Sequence, residues 1–258
     1  VCLISIFPFI WMISSSLKDS ELIFSFPPQL IPNPVTWQNY PEAWKATAMG
    51  RAMINSLFIA VVTTGGGCLV SSLVAYGFAK IDFKFKTALF MVVLSTMMIP
   101  YQVTQVPLYI LVVNKFHMSN TYVALILPGI VTSYNVFLAK QFFASIPTPL
   151  IESAKLDGCS HPGIFVRIVL PLSKTVLAVM AINTFMSSWN TFFWPFLVTS
   201  KDRMYTIQVG LKTFKFANET LFAPMMAGAT LSALPMFILF FALQKYFLEG
   251  VTIGAVKG

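Results

Sequence analysis

The sequence predicts an all-α membrane protein that crosses the bilayer six times, and three observations carry that expectation. Of 258 residues, 57% are hydrophobic and only 10% charged, with a mean hydropathy of +0.76; a soluble domain of this size would struggle to hide so much apolar surface in one core. The apolar residues fall in runs, several near the ~20 residues that a helix needs to cross hydrocarbon with its backbone polar groups satisfied internally. The acidic residues Asp19, Glu21, Glu42, Asp82, Glu152, Asp157, Asp202, Glu219 and Glu249 all stay outside those runs.

Taken in order, the spans are expected at about 1–17, 52–79, 88–99 with an extension beyond Pro100, 121–141, 175–196 and 223–246, within a single domain covering 1–258. The first run begins without a methionine or a basic head, so an N-terminal cytoplasmic segment is expected to precede it. No small-residue cleavage site follows "WMISSSLKD", so the run reads as a span and not a cleaved signal. Proline-rich "FPPQLIPNPVTWQNYPEAWK" then makes a stiff outer segment with a short helix around Tyr40–Ala46. In the second span Gly67, Ser71, Ala75 and Ala79 recur every four residues, a small-residue stripe that lets another helix approach closely; Gly228 and Ser232 repeat it in the last span. The fifth span sets Asn183, Ser187, Asn190 and Thr191 on one face, where a polar stripe faces either protein or a water-filled path. Tyr134 and Asn135 in the fourth span, with Ser95 and Thr96 in the third, are weaker path candidates. Interhelical hydrogen bonding, at ~0.6 kcal/mol per contact, is the competing reading for the fifth-span stripe.

An even number of spans puts both termini on one side, assigned to the cytoplasm. Nine of the seventeen basic residues then lie inside, at 80, 84, 86, 140, 155, 167, 174, 245 and 257. The net charge of +8 reads as membrane topology, with no basic stripe interleaved with stacking aromatics to suggest nucleic acid. Cys2 and Cys68 fall in spans and Cys159 in an inner loop, so free thiols are expected.

If the chain moves a solute, its energy source lies elsewhere. Proton-coupled carriers place ionisable acids or histidines inside the membrane, and none falls there. No Gly-Lys pair occurs, so no Walker A loop exists, and "TTGGGCLV" at Thr63–Val70 is helix packing. His117 and His161 fall on opposite sides by this topology, each without a second ligand at metal spacing, so neither a metal site nor catalytic residues are expected. A sodium-coupled or passive carrier, working without an ATPase, remains the alternative.

The inner loop, 145–172, is the polar exception. Thr148 is expected to cap a helix with Pro149 in its first turn, Glu152 to sit near the positive helix end, and Gly158 to end the helix in a left-handed conformation. Ser160 and Pro162 restart a second helix with an apolar face of Ile164, Phe165, Ile168, Val169 and Leu172. A protein-docking surface fits this acidic half better than lipid does.

"ESAKLDGCSHPGIFVRIVLPL" at Glu152–Leu172 resembles the EAA loop of ABC importer permeases, with Glu152-Ser153-Ala154, Gly158 and Ile168-Val169-Leu170-Pro171 in the motif's places. Ser153 and Cys159 replace common alanines, small for small. "PFIWMISSSLK", "NSLFIAV", "AYGFAKIDF", "MIPYQVTQVPLYIL", "WNTFFWP" and "YFLEGVTIGAVKG", in that order, are similar to the carbohydrate branch and its maltose-type second permease. The resemblance implies the type I importer transmembrane fold in a bacterial inner membrane. It implies no cofactor in this chain, with ATP and Mg on a partner ATPase. It also implies a heterodimer with a second related permease, two ATP-binding subunits on the cytoplasmic face and an extracytoplasmic solute-binding protein. Glu152, Ser153, Ala154, Asp157 and Gly158 would then couple to the ATPase. Asn183, Ser187, Asn190, Thr191, Asn135 and Tyr134 would line a sugar path. Tail 247–258, through Glu249, Gly250 and Gly254, would reach the ATPase subunits as an extended segment.

Overall fold

Continuous apolar sequence with few interior breakers folds into helices wherever turn residues do not interrupt it, and every regular element among the described residues is helical. The structure, a computed structural model, describes residues 2–46, 48–212, 214 and 221–255, with side chains outside the description at 2–3 and 245–255. Helix α1 is Cys2–Ser16, α2 Asn39–Ala46, α3 Met49–Lys80 and α4 Lys86–Thr96. Helix α5 is Tyr101–Lys115, α6 Tyr122–Ile126, α7 Ser133–Ala144, α8 Thr148–Leu156 and α9 His161–Leu172. Helices α10 Lys174–Asn190, α11 Phe193–Val198, α12 Ile207–Lys212 and α13 Phe222–Ala255 complete the order.

Among the described residues two helices are long and apolar enough to cross a membrane unaided, Met49–Lys80 and Phe222–Gln244, and up to five crossings result if each bent pair counts as one. The bent pairs are α4 with α5 at 91°, Tyr122–Gly129 with α7 at 44°, and α9 with α10 at 82°. The apolar helix α1, expected as a span, is described over Cys2–Ser16. The break before α5 has a local cause: Pro100 lacks a backbone N–H and disfavours helical geometry in the residue before it. The tail departs from expectation. Helix α13 runs without interruption to Ala255, so 247–255 is helical and not extended, and 256–258 lie outside the described residues.

The chain divides into two packing units. The first holds residues 1–58, 119–122 and 189–239. In it Asn55 is buried, donates from Nδ2 to the carbonyls of Arg203 and Tyr205 at 2.9 Å each, and accepts from the Tyr122 hydroxyl at 2.7 Å. The buried Ser56 hydroxyl oxygen accepts from the Ile207 N–H at 2.8 Å. Asn120 Oδ1 accepts from the N–H groups of Ser200 and Lys201 at 2.8 and 2.9 Å. The backbone at 200–207, which includes a 3-10 turn at Asp202–Met204, is thereby fixed by side chains of α3 and of Asn120.

The second unit holds 59–118, 123–188 and 240–258, and its core joins Ala75, Tyr76, Ala139, Phe143, Ile146, Ile151, Ile164, Phe165, Val176 and Met180. The small-residue stripe works here as expected. A Cβ at Gly67 would lie 3.1 Å from the Ile130 carbonyl oxygen and 3.5 Å from a Thr184 methyl. Since the nearest atom is backbone, Gly67→Val is expected to destabilise this packing by ~1–3 kcal/mol, the usual cost of overpacking. Thermal unfolding in detergent would read it as a lower midpoint. Cys68 and Cys159 are free thiols; the side chain of Cys2 lies outside the described residues.

Candidate functional site

The loop at 145–172 is a built structure. Helix α8 starts at Thr148 itself, behind Pro147, with no side-chain cap, so Thr148 is the first helical residue and not the cap expected for it. Glu152 lies past the first turn, where the helix dipole gives its carboxylate little support. At the other end Gly158 has φ +77°. The Cys159 N–H donates to the Ala154 carbonyl at 2.9 Å and the Gly158 N–H to the Lys155 carbonyl at 3.0 Å. Together these form the paired bonds of a Schellman motif, and Cys159 packs against the core cluster that contains Ala154. The Ser153 hydroxyl donates back to the Pro149 carbonyl at 2.9 Å within the same helix.

Two faces follow. Ile151 and Ala154 are buried on one side of α8, and Ile164, Phe165 and Val169 in α9, all within the core of the second unit. Leu172, expected on that same face, is exposed. Phe165–Val169 is a π-helical segment, and its wider turn shifts the apolar register before Leu172 is reached. The other face of α8 carries Glu152, Ser153, Lys155 and Asp157, all exposed, with Leu156 at 89% exposure.

Residues beyond the loop hold it in place. Lys80, the last residue of α3, donates from Nζ to the Ile146 carbonyl at 2.6 Å, where the chain enters the loop. The Tyr76 hydroxyl and His161 Nδ1 are 2.9 Å apart, and the Tyr76 ring packs on Phe165 at 5.4 Å between centroids. These roles are not legible in sequence, because the partners are 66 and 85 residues away. A displacement of α8 and α9 therefore meets a shared core and two directed polar ties to α3 and the loop entry, and not a flexible tether.

The path candidates separate by burial. Asn183, Ser187 and Asn190 are exposed, Tyr134 is exposed and Thr191 half-buried. Asn135 is different: it is buried, and Nδ2 donates to the Thr184 hydroxyl at 2.8 Å. That interhelical bond removes Asn135 from an accessible path and makes it a packing residue. Trp189 is also buried, its indole N–H donating to the Ser232 carbonyl at 3.1 Å, and Trp194 is buried as well. Glu249, Gly250 and Gly254 lie in α13, their side chains outside the description. Among the described residues no three His, Cys, Asp or Glu side chains gather as a metal site.

Residues 67–253 match the family model of the binding-protein-dependent transport system inner membrane component. The chain is 35% identical to the arabinooligosaccharides transport system permease protein AraQ of Halalkalibacterium halodurans, over 100% of this chain and 93% of that protein. It is 33% identical to the sn-glycerol-3-phosphate transport system permease protein UgpE of Yersinia pestis, over 96% and 91%. Its fold matches a chain in the crystal structure of a bacterial ABC transporter involved in the import of the acidic polysaccharide alginate, with a TM-score of 0.83, 20% identity and coverage of 95% and 92%.

The fold and the loop define a membrane permease, and the chain belongs to the family of binding-protein-dependent transport system inner membrane components. It is a permease subunit of an ABC importer, a transport subunit and not an enzyme. Such a subunit works with a partner permease, an ATPase and a solute-binding protein. The alternative of a carrier working without an ATPase is thereby set aside.

Proposed function

We propose that this permease spans a bacterial cytoplasmic membrane six times with both termini inside, and that it forms half of the path for a sugar or oligosaccharide. Its other half is a related second permease. Two ATP-binding subunits, which hold ATP and Mg, dock on the cytoplasmic face against loop 145–172, and an extracytoplasmic binding protein delivers the solute. The observation that carries this reading is the two-faced loop: an apolar face in the core of the second unit and an exposed face of Glu152, Ser153, Lys155, Leu156 and Asp157. Force applied at the exposed face passes into α3 through Tyr76 and Lys80.

For the solute, α10 supports a neutral saccharide. Its exposed polar residues, Asn183, Ser187 and Asn190, offer hydrogen-bond donors and acceptors without charge. Hydroxyl-rich solutes use both, whereas an anion would favour Arg or Lys there. The resemblance to the arabinooligosaccharide permease points the same way.

Replacing Asn190 by leucine keeps helix propensity and removes one donor-acceptor group. Uptake of radiolabelled arabino-oligosaccharide into vesicles carrying the assembled transporter is expected to fall about 3- to 10-fold, the effect of losing one hydrogen bond worth ~1 kcal/mol. Co-purification of the ATPase should persist. Unchanged uptake would take Asn190 out of the path, and lost assembly would make the stripe a permease–permease contact.

A further inference from the structure

The segment between α1 and α2 has its polarity turned inside out. No charged residue occurs from Leu22 to Pro41. Its inward attachments are polar and mostly run to or from its backbone. The Lys18 ammonium donates to the Gln29 carbonyl and the Ser14 hydroxyl to the Leu30 carbonyl. The Thr36 N–H donates to the Leu17 carbonyl at 2.8 Å. At the far end Asn39 Nδ2 donates to the carbonyls of Ser16 and Lys18 at 2.9 and 2.8 Å, and the Tyr40 and Ser16 hydroxyls are 2.8 Å apart. The segment is thus strapped to the last turn of α1 and the residues after it. Its large apolar side chains point away: Phe26 is 95% exposed, Ile31 82%, Trp37 68% and Val35 51%.

Water is a poor neighbour for such a surface, since solvated loops show polar groups and scatter their apolar ones. Two contacts set its level. Its anchors are Ser14, Ser16, Leu17 and Lys18, where α1 ends, and Phe24 stands edge-on to Phe222 at 4.8 Å between centroids. Phe222 is the first residue of a candidate membrane span. The strap therefore lies where two apolar helices end, and it continues the exposed apolar surface of α1 formed by Ile4, Phe7, Ile10 and Ile13. Irregular backbone is excluded from the hydrocarbon core but tolerated where water still reaches it, and Trp with uncharged polar residues suits that depth. Lys18, the nearest cation, is buried under the strap and unavailable to solvent.

We propose that residues 24–37 form a lipid-binding strap that lies in the head-group layer of the bilayer, with Phe26, Ile31, Val35 and Trp37 inserted toward the acyl chains. This rests on the reading that α1 and α13 cross the membrane. The strap anchors the end of α1, which stops at Ser16, at a fixed depth in the bilayer.

The test uses the assembled transporter in vesicles of phosphatidylethanolamine and phosphatidylglycerol, with Cys2, Cys68 and Cys159 changed to serine and a nitroxide at Phe26→Cys, Ile31→Cys, Glu21→Cys or Phe7→Cys. Collision with oxygen is compared with collision with a water-soluble nickel chelate. Labels at 26 and 31 are expected to favour oxygen, as at 7, while the label at 21 favours nickel. Nickel preference at 26 and 31, with oxygen preference at 7, overturns the strap and leaves the membrane reading intact. Weak collision with both reagents at 26 and 31 means that protein covers the surface, and overturns it equally. Nickel preference at 7 refutes the crossing of α1 itself. Independently of the cysteine background, lipids brominated near the head group should quench the wild-type protein more than Trp37→Phe; equal quenching counts against the strap.

Discussion

Gly158→Val is expected to cut uptake at least about tenfold, the factor carried by roughly 1.4 kcal/mol, while the protein reaches the membrane at wild-type abundance. The reason is purely conformational. Nothing lies within 4 Å of a Cβ built at Gly158, so no neighbour is struck. The backbone, at φ +77°, is the obstacle: left-handed geometry costs an L-residue ~1–2 kcal/mol, and a β-branched side chain more. Relief comes by opening the two bonds from Gly158 and Cys159, which rotates α8 against α9 and spoils the exposed face. Gly158→Asn should be milder, because asparagine enters this region more readily. Glu152→Ala should be milder still, since the carboxylate is exposed and lies past the first helical turn. Uptake, membrane abundance and ATPase co-purification across the three variants give the order. Wild-type uptake in Gly158→Val would mean that the turn does not set the docking geometry.

Leu156→Asp is expected to separate permease from ATPase without unfolding the permease. Leu156 is 89% exposed, so within this chain the change should stay inside the ~0.5 kcal/mol typical of surface substitutions. At a docked interface the same side chain contributes ~1.5–3 kcal/mol by burial, and aspartate adds an unpaired charge. ATPase retained on affinity-purified permease should drop about 10- to 100-fold, which is the range that this energy spans. Leu156→Met should retain it. Retention unchanged by Leu156→Asp would move the docking surface off this face of α8.

The sequence reached the elements whose cause is local. The runs expected at 52–79 and 223–246 lie within the helices Met49–Lys80 and Phe222–Ala255, because apolar runs of that length settle their own secondary structure even across Gly65–Gly67 and Pro235. The positive φ of Gly158 was legible for the same reason, since a glycine after a short polar helix has few other uses. What failed depended on contacts distant in sequence. Asn135 looks like a path residue until Thr184 is placed beside it. Leu172 fell off the apolar face because a π segment breaks the 3.6-residue period that the expectation assumed. The tail is helical to Ala255 although Gly250 and Gly254 suggest an extended path, because it continues the helix preceding it.

The coupling role of the inner loop is tested most directly by placing photoreactive p-benzoylphenylalanine at position 156 in the assembled transporter and illuminating it with and without ATP. The expected product is a cross-link to the ATP-binding subunit, with a yield that changes with nucleotide. Cross-links confined to lipid or to the solute-binding protein, in a transporter that still takes up its solute, would contradict the coupling role.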